Sequence, residues 1–171
     1  MIDRQIVIVG FMGTGKTTVA RELARKLNCS AVDLDQLITT QNGRSPGKII
    51  EQDGENRFRE IETQLLREVL KKERARIIAV GGGAWTIAAN RELIAAGGAF
   101  TVWLDAPFEL CWERIEAGRE GRPLARSREL AERLYVERQL VYELAAVRVQ
   151  VSAGESVSET ATKILRALRD A

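Results

Sequence analysis

The segment at residues 10–17, GFMGTGKT, points most directly to chemistry, because it matches the pattern GxxxxGK[ST]. In such a loop the glycines let consecutive backbone N–H groups converge on phosphate oxygens, and the N-terminus of the next helix adds partial positive charge. Lys16 can then reach the β- and γ-phosphates, and the Thr17 hydroxyl can bind Mg²⁺. The alternative is a glycine-rich turn without a ligand, but the flanking strand and helix patterns favour nucleoside triphosphate binding.

Two carboxylates, Asp33 and Asp35, follow the second apolar run of the chain. Residues two apart on an extended segment point the same way, so we expect both side chains to face one site. One carboxylate can hold Mg²⁺ through water, while the other accepts hydrogen bonds from a hydroxyl of the phosphate acceptor. Acidic pairs are also common on protein surfaces. The nearby phosphate-binding loop favours the functional interpretation.

Five apolar runs alternate with helical patterns, which predicts an α/β fold with a parallel sheet. Ligands bind such sheets at the carboxyl ends of the strands. The predicted strands are residues 5–9, 30–34, 76–80, 99–104 and 147–151. The predicted helices are 16–27, 36–41, 46–52, 55–72, 86–96, 107–116, 129–144 and one after a capping box at Ser156 and Glu159. The strand ends that we expect to form the site are 10–17, 33–35, 81–83 and Asp105.

The composition excludes several classes of active site. The 171 residues predict one domain, 1–171, and the absence of histidine excludes Ser-His-Asp and Cys-His catalysis. Cys29 and Cys111 lie far apart, which argues against a disulfide framework or a zinc site. The net charge of +2 argues against bulk nucleic-acid binding. No apolar run approaches the ~20 residues that cross a membrane, and no secretory signal is visible, so we expect a cytoplasmic protein.

The class of nucleotide-binding protein can be narrowed further. A GTPase would need a guanine-reading NKxD motif, and the chain has none. A motor ATPase would show an apolar strand that ends in Asp, as at residues 102–105, but the chain is too short for a motor core. A small-molecule kinase fits the length better.

Six motifs follow one another along the chain. They are GFMGTGKTT at 10–18, DLD at 33–35, GENRFREIE at 54–62, GGGA at 81–84, GRPL at 121–124, and Arg138 with Tyr142. This ordered set resembles the shikimate kinase family from Ile6 to about Leu168. The chain departs from the family pattern in having RPLA for RPLL at 122–125, RQLVY without a proline at 138–142, and Ile50 where some members place phenylalanine.

The resemblance implies a three-layer P-loop kinase fold, with a five-stranded parallel sheet in the order 2-3-1-4-5, a substrate-binding region at about 33–62 and a lid at about 114–128. It implies ATP-dependent phosphorylation of the 3-hydroxyl of shikimate, on the route to chorismate and aromatic amino acids. It assigns ATP binding to Gly13, Thr14, Gly15, Lys16, Thr17, Thr18, Arg114 and Arg122, and Mg²⁺ binding to Thr17 and Asp33. It assigns shikimate binding to Asp35, Arg59, Gly81, Gly82, Gly83 and Arg138, and catalysis to Lys16, Asp35 and Arg122.

Elementary chemistry supports these assignments. A substrate carboxylate favours an arginine clamp, and Arg59 and Arg138 lie on predicted helices near strand ends. Glu62 follows Arg59 by three residues, so it can hold that guanidinium in place. The alternative for Arg59 is an exposed helical arginine. An arginine-rich lid can stabilise the moving phosphate and exclude water, although we expect Arg126 and Arg128 to be solvated.

Two other functions remain open from the sequence. A related kinase such as gluconate kinase shares the loop and the chain length, although the FRxIE, GGG and RPL motifs argue against it. A non-catalytic nucleotide-binding regulator would keep the same fold, but Lys16, Thr17, Asp33 and Asp35 are all present. We expect shikimate and ATP as partners of a monomer, with no nucleic acid and no membrane.

Overall fold

The computed structural model describes residues 4–72, 75–118 and 127–170, and within them strands and helices alternate as the sequence predicts. The strands are β1 (Ile6–Val9), β2 (Ala31–Asp33), β3 (Ile77–Ala79), β4 (Phe100–Asp105) and β5 (Val147–Gln150). The helices are α1 (Lys16–Leu27), α2 (Leu34–Asn42), α3 (Pro46–Asp53), α4 (Glu55–Lys71), α5 (Ala88–Ala96), α6 (Phe108–Ala117), α7 (Arg128–Tyr142) and α8 (Val157–Asp170). A 3₁₀ turn at Ala84–Thr86 precedes α5.

The five strands form one parallel sheet in the order β2-β3-β1-β4-β5, which confirms the predicted fold. Ile6 of β1 pairs with Ile77 of β3 on one side and with Phe100 of β4 on the other. Because all strands run the same way, their carboxyl ends meet at one edge of the sheet. The loop after β1 therefore lies between the segments that follow β3 and β4.

The sheet is anchored by side chains that are buried on both faces. All four residues of β1 are completely buried, as expected for a central parallel strand that helices cover on both sides. Trp85, Trp103 and Trp112 are also buried and belong to the same core. This packing holds the strand ends rigidly and provides a fixed base for the loops that follow them.

Helix packing and capping bring the predicted substrate residues towards the sheet edge. Helix α4 packs against α2, α3 and α5, and α7 packs against the 3₁₀ turn. Ser127 caps α7 by accepting a hydrogen bond of 3.2 Å from the backbone N–H of Leu130. Helix α4 thus carries Arg59, and α7 carries Arg138. Among the described residues, no helix has the length and apolar character needed to cross a membrane.

Candidate active site

The loop between β1 and α1 is built around Lys16. The Lys16 ammonium donates hydrogen bonds to the carbonyl oxygens of Gly10 and Phe11, at 2.9 and 2.8 Å. Gly13 has a φ of +82°, and a Cβ there would lie only 2.5 Å from the carbonyl oxygen of Cys111. The close approach of α6 therefore requires glycine at this position. Thr14 is buried, and its hydroxyl donates to the Phe11 carbonyl at 2.9 Å.

This loop opens onto a cavity of about 330 Å³ at the carboxyl edge of the sheet. The cavity combines cationic and backbone donors with carboxylates, an arrangement suited to a phosphate that must meet a hydroxyl group. The predicted site residues that line it are Gly13, Gly15, Lys16, Thr17, Thr18, Asp33, Asp35, Gly81, Gly82 and Arg114.

Asp33 and Asp35 both line the cavity, but the prediction that one extended segment carries them is wrong. Strand β2 ends at Asp33, whose carboxylate caps α2 by accepting a 3.0 Å hydrogen bond from the backbone N–H of Gln36. Asp35 therefore lies in the first turn of the helix. The second carboxylate oxygen of Asp33 accepts a hydrogen bond from the Thr17 hydroxyl, which places two oxygen ligands side by side.

The three consecutive glycines bring separate parts of the chain together. An ideal Cβ at Gly82 would lie 3.5 Å from Nη1 of Arg138, and one at Gly83 would collide with the guanidinium of Arg59. Glycine at residue 83 therefore leaves the space that the Arg59 side chain occupies. The glycines thus form the meeting point of two arginines from α4 and α7, next to the cavity that contains Asp35.

Glu62 holds Arg59 in position, as the spacing predicts. Its Oε2 atom accepts a hydrogen bond of 2.7 Å from Nη1 of Arg59, and its side chain has no exposed surface. Glu55 contacts the same guanidinium at 3.1 Å from a half-exposed position. Burial raises the pKa of Glu62 to about 7, although the neighbouring Arg59 charge opposes the shift.

A second cavity of about 250 Å³ adjoins the loop and was missed by sequence reasoning. It shares Gly15, Thr18 and Arg114 with the first cavity, and the Arg114 guanidinium donates to the Gly13 carbonyl at 3.1 Å. Ligands bind parallel sheets at the carboxyl ends of the strands, and the same rule applied to β5 predicts the other wall of this smaller cavity. That wall includes Val151, Glu155, Val157 and Thr160.

Two predicted features lie elsewhere. Asp105 is the last residue of β4, pairs with Arg148 at 2.7 Å and does not line either of these cavities. Arg122 and most of the predicted lid, residues 119–126, lie outside the described residues.

Comparison with known proteins identifies the family. The family model described as shikimate kinase matches residues 12–169. The shikimate kinase of Geobacter sulfurreducens is 40% identical over 170 residues, which cover 98% of this chain and 92% of that protein. The chain belongs to the shikimate kinase family. It is thus an ATP-dependent phosphotransferase that acts on shikimate, and ATP is its co-substrate.

Solved structures agree with this shikimate kinase assignment. The shikimate kinase from Acinetobacter baumannii in complex with shikimate has a TM-score of 0.88 and 33% identity, with 98% of this chain and 93% of that chain covered. A gluconokinase from Sinorhizobium meliloti has a TM-score of 0.61 at 19% identity, with 98% and 92% covered, which shows a shared fold alone. The likeness to shikimate kinases therefore extends to sequence and fold, whereas the likeness to the gluconokinase is one of fold.

Proposed function

We propose that this chain transfers the γ-phosphoryl group of ATP to the 3-hydroxyl of shikimate, giving shikimate 3-phosphate and ADP on the route to chorismate. The observation that carries the proposal is the convergence of Arg59 and Arg138 on the triple glycine, beside a cavity that contains both Lys16 and Asp35. A hydroxyacid needs a cationic clamp for its carboxylate and a carboxylate near its hydroxyl. Both features adjoin the phosphate-binding loop.

The nucleotide occupies the loop side of the site in this proposal. The backbone N–H groups of the loop and Lys16 hold the phosphates, and these contacts replace the bonds from Lys16 to the loop carbonyls. Arg114 lines both cavities, so it can contact a nucleotide whose base lies in the smaller one. The residues assigned to ATP are Gly13, Thr14, Gly15, Lys16, Thr17, Thr18, Arg114 and Arg122.

The donor set beside the loop also fits a magnesium ion. The Thr17 hydroxyl and the Asp33 carboxylate are adjacent oxygen ligands at the cavity wall, and Mg²⁺ binds through a few protein oxygens together with substrate phosphates. When bound, the ion would neutralise charge on the β- and γ-phosphates. The role of the protein is to keep these two ligands together, and the Asp33 carboxylate does so while it caps α2.

Shikimate occupies the side of the site that α4 and α7 form. Arg59 and Arg138 bind its carboxylate, and backbone N–H groups of residues 81–83 contact it closely. Asp35 accepts the hydrogen bond of the reacting hydroxyl and so directs it towards the γ-phosphate. Catalysis then depends on positioning and on cationic stabilisation by Lys16, with Arg122 acting from a lid at about 114–128.

The proposal also covers the oligomeric state and the cellular compartment of the enzyme. We propose a single-domain monomer in the cytoplasm, without nucleic-acid or membrane partners. Arg59 and Arg138 of the same chain both reach the triple glycine, so a single chain supplies both arginines of the proposed clamp. Cys29 and Cys111 are both free thiols, which is typical of a reducing compartment.

The proposal is tested by measuring ADP formation with shikimate, with gluconate and without either acid. We expect turnover that depends on shikimate, and a single phosphorylated product that carries the group on the 3-hydroxyl. A Lys16→Ala protein purified in parallel reports contaminating kinases. Turnover with gluconate alone would favour the sugar-acid kinase, and nucleotide binding without turnover on either acid would favour the regulator.

A further inference from the structure

Glu62 differs from an ordinary ion-pair carboxylate because only one of its oxygens is satisfied. Oε2 accepts the hydrogen bond from Arg59. Oε1 is buried and has no hydrogen-bond partner among the described residues. Burial without a hydrogen-bond donor penalises the charged carboxylate, and this favours the neutral, protonated carboxyl group. The pKa of Glu62, about 7, reflects this burial and lies close to physiological pH.

Charged groups from three helices act on Glu62. Arg59 on its own helix and Arg138 on α7 stabilise the ionised form, whereas Asp35 on α2 disfavours it. Both carboxyl groups lie beside Gly81, because a Cβ there would lie 2.9 Å from Oε1 of Glu62 and 3.1 Å from Oδ1 of Asp35. The two carboxyl groups are therefore neighbours on the same side of Gly81. The ionised form of Glu62 depends on its two arginine neighbours.

Those arginines are the same two that the proposed function assigns to the carboxylate of shikimate. A bound carboxylate adds a negative charge to this cluster and shares the guanidinium charge that stabilises ionised Glu62. A like charge within a few ångströms disfavours ionisation of a carboxyl group. Substrate binding must therefore shift Glu62 towards its protonated form.

We propose that Glu62 takes up a proton from solvent, at Oε1, when the carboxylate of shikimate binds Arg59 and Arg138. The inference rests on the proposed function, because it needs shikimate in this site. One O–H bond forms at Oε1, the proton comes from the buffer, and no other covalent bond changes. Glu62 is thus a positioning residue whose charge adapts to the substrate: ionised, it holds Arg59 in the empty site, and once protonated it no longer repels the substrate carboxylate.

Proton uptake by Glu62 makes the affinity for shikimate depend on pH in one direction. A group whose pKa is higher in the complex than in the free protein makes binding tighter at low pH. The dissociation constant for shikimate should then rise as pH increases between the two pKa values of Glu62. The slope approaches a factor of about ten per pH unit when uptake is close to one proton. Adenosine binding in the smaller cavity, which Glu62 does not line, should lack this linkage.

Calorimetry of shikimate binding measures the uptake directly. Titrations at about pH 7.5 in phosphate and in Tris differ in enthalpy by the number of protons exchanged multiplied by the difference in buffer ionisation enthalpy. We expect uptake of a substantial fraction of a proton by the unaltered protein, and none by Glu62→Gln. Glu60→Gln is the matched control, since Glu60 pairs with Arg57 on the exposed side of the same helix, and its uptake should equal that of the unaltered protein.

Infrared difference spectroscopy of the unaltered protein provides a second measurement that needs no variant. Addition of shikimate should produce the C=O band of a protonated carboxyl group, and this band should shift when the glutamates carry ¹³C. Binding without proton uptake, uptake that persists in Glu62→Gln, or a band that does not respond to glutamate labelling would each overturn the inference. Failure of shikimate to bind at all would instead contradict the proposed function.

Discussion

The hydroxyl of Tyr142 donates a hydrogen bond of 2.5 Å to the carbonyl oxygen of Gly82. Tyr142 is completely buried, and burial raises its pKa to about 12, so the phenol remains a donor throughout the physiological range. The bond joins the end of α7 to the centre of the triple glycine. Because Arg138 lies one turn earlier on the same helix, this contact fixes the distance between an arginine of the proposed clamp and the glycine backbone.

Tyr142→Phe should therefore loosen the shikimate site. We expect a loss of about 1 kcal/mol in the free energy of unfolding and a rise of about tenfold in the KM for shikimate. Tyr135→Phe is the matched control. Tyr135 lies on the same helix as Tyr142, but its hydroxyl donates to the Ala106 carbonyl at 2.9 Å, away from the glycines. The two variants should lose similar stability in urea unfolding. A shift in the KM for shikimate that is equal in both would remove the positioning role of Tyr142.

Lys16→Ala should abolish turnover without unfolding the protein, because the ammonium stabilises the charge on the transferring phosphate. Lys26→Ala, on the same helix, alters a surface ammonium that contacts Glu22 at 3.7 Å, and it should leave kcat unchanged. Steady-state kinetics and thermal melting curves of both proteins make the comparison. Near-normal turnover by Lys16→Ala would contradict the assignment of the loop.

Asp35→Asn retains the shape of the side chain and removes its charge. We expect kcat to fall by at least about 100-fold, the scale associated with lost acid-base or orienting function, while the affinity for ATP changes little. Asp53→Asn controls for the loss of an acidic group, since Asp53 pairs with Arg44 at the surface, at 2.7 Å. If the affinity for ATP collapses while kcat stays constant, Asp35 would belong to the metal site and Asp33 to the substrate site.

Local patterns were sufficient to predict much of this architecture. The alternation of strands and helices and the fixed spacing around Lys16 are properties of short segments, so the sheet and the phosphate-binding loop could be inferred directly. The Arg59–Glu62 pair was also predictable, because residues three apart on a helix are neighbours. The geometry of Asp35 was not, because the carboxylate of Asp33 caps α2 and starts the helix two residues earlier than predicted.

The features of the site that could not be predicted from the sequence depend on contacts between residues far apart in the chain. The position of Glu62 next to Asp35, beside Gly81, depends on how α4 packs against α2. The bond from Tyr142 to Gly82 joins residues 60 positions apart. Helical periodicity indicates which face of a helix is buried, but it does not specify which partner that face meets. The family resemblance assigns the glycine triplet to shikimate binding, and the structure shows in addition that it leaves space for the Arg59 guanidinium.

The raised pKa of Glu62 predicts an unusual dependence of stability on pH. Between the ordinary value of 4.5 and the folded value of about 7, the folded protein binds a proton that the unfolded chain has lost. The free energy of unfolding should therefore fall as pH rises through this window, by up to about 3 kcal/mol, and level off above it.

Glu62→Gln lacks this contribution. In urea unfolding at several pH values, the stability of the unaltered protein relative to Glu62→Gln should decline from pH 4.5 to about 7. Glu60→Gln should follow the unaltered protein across the same range. Curves for Glu62→Gln and the unaltered protein that stay parallel would show that Glu62 titrates normally.

The proposed function depends above all on the binding of the shikimate carboxylate by Arg59 and Arg138 together. Planar, charge-assisted contacts of this kind are poorly replaced by lysine, and removing one partner leaves the carboxylate partly unpaired. Arg57→Lys is the matched control on the same helix, since Arg57 is exposed and pairs with Glu60 at 2.8 Å. Its kinetic constants should stay close to those of the unaltered protein.

The decisive measurement is the KM for shikimate and for ATP in Arg59→Lys, Arg138→Lys and the double variant. The KM for shikimate should rise by a factor of tens to thousands, equivalent to about 2–5 kcal/mol, while the KM for ATP stays within a few-fold. The losses in binding free energy of the two single variants should not add, because either substitution disrupts the same two-arginine carboxylate site. An unchanged KM for shikimate in both single variants would contradict the clamp and, with it, the assignment of the substrate to this site.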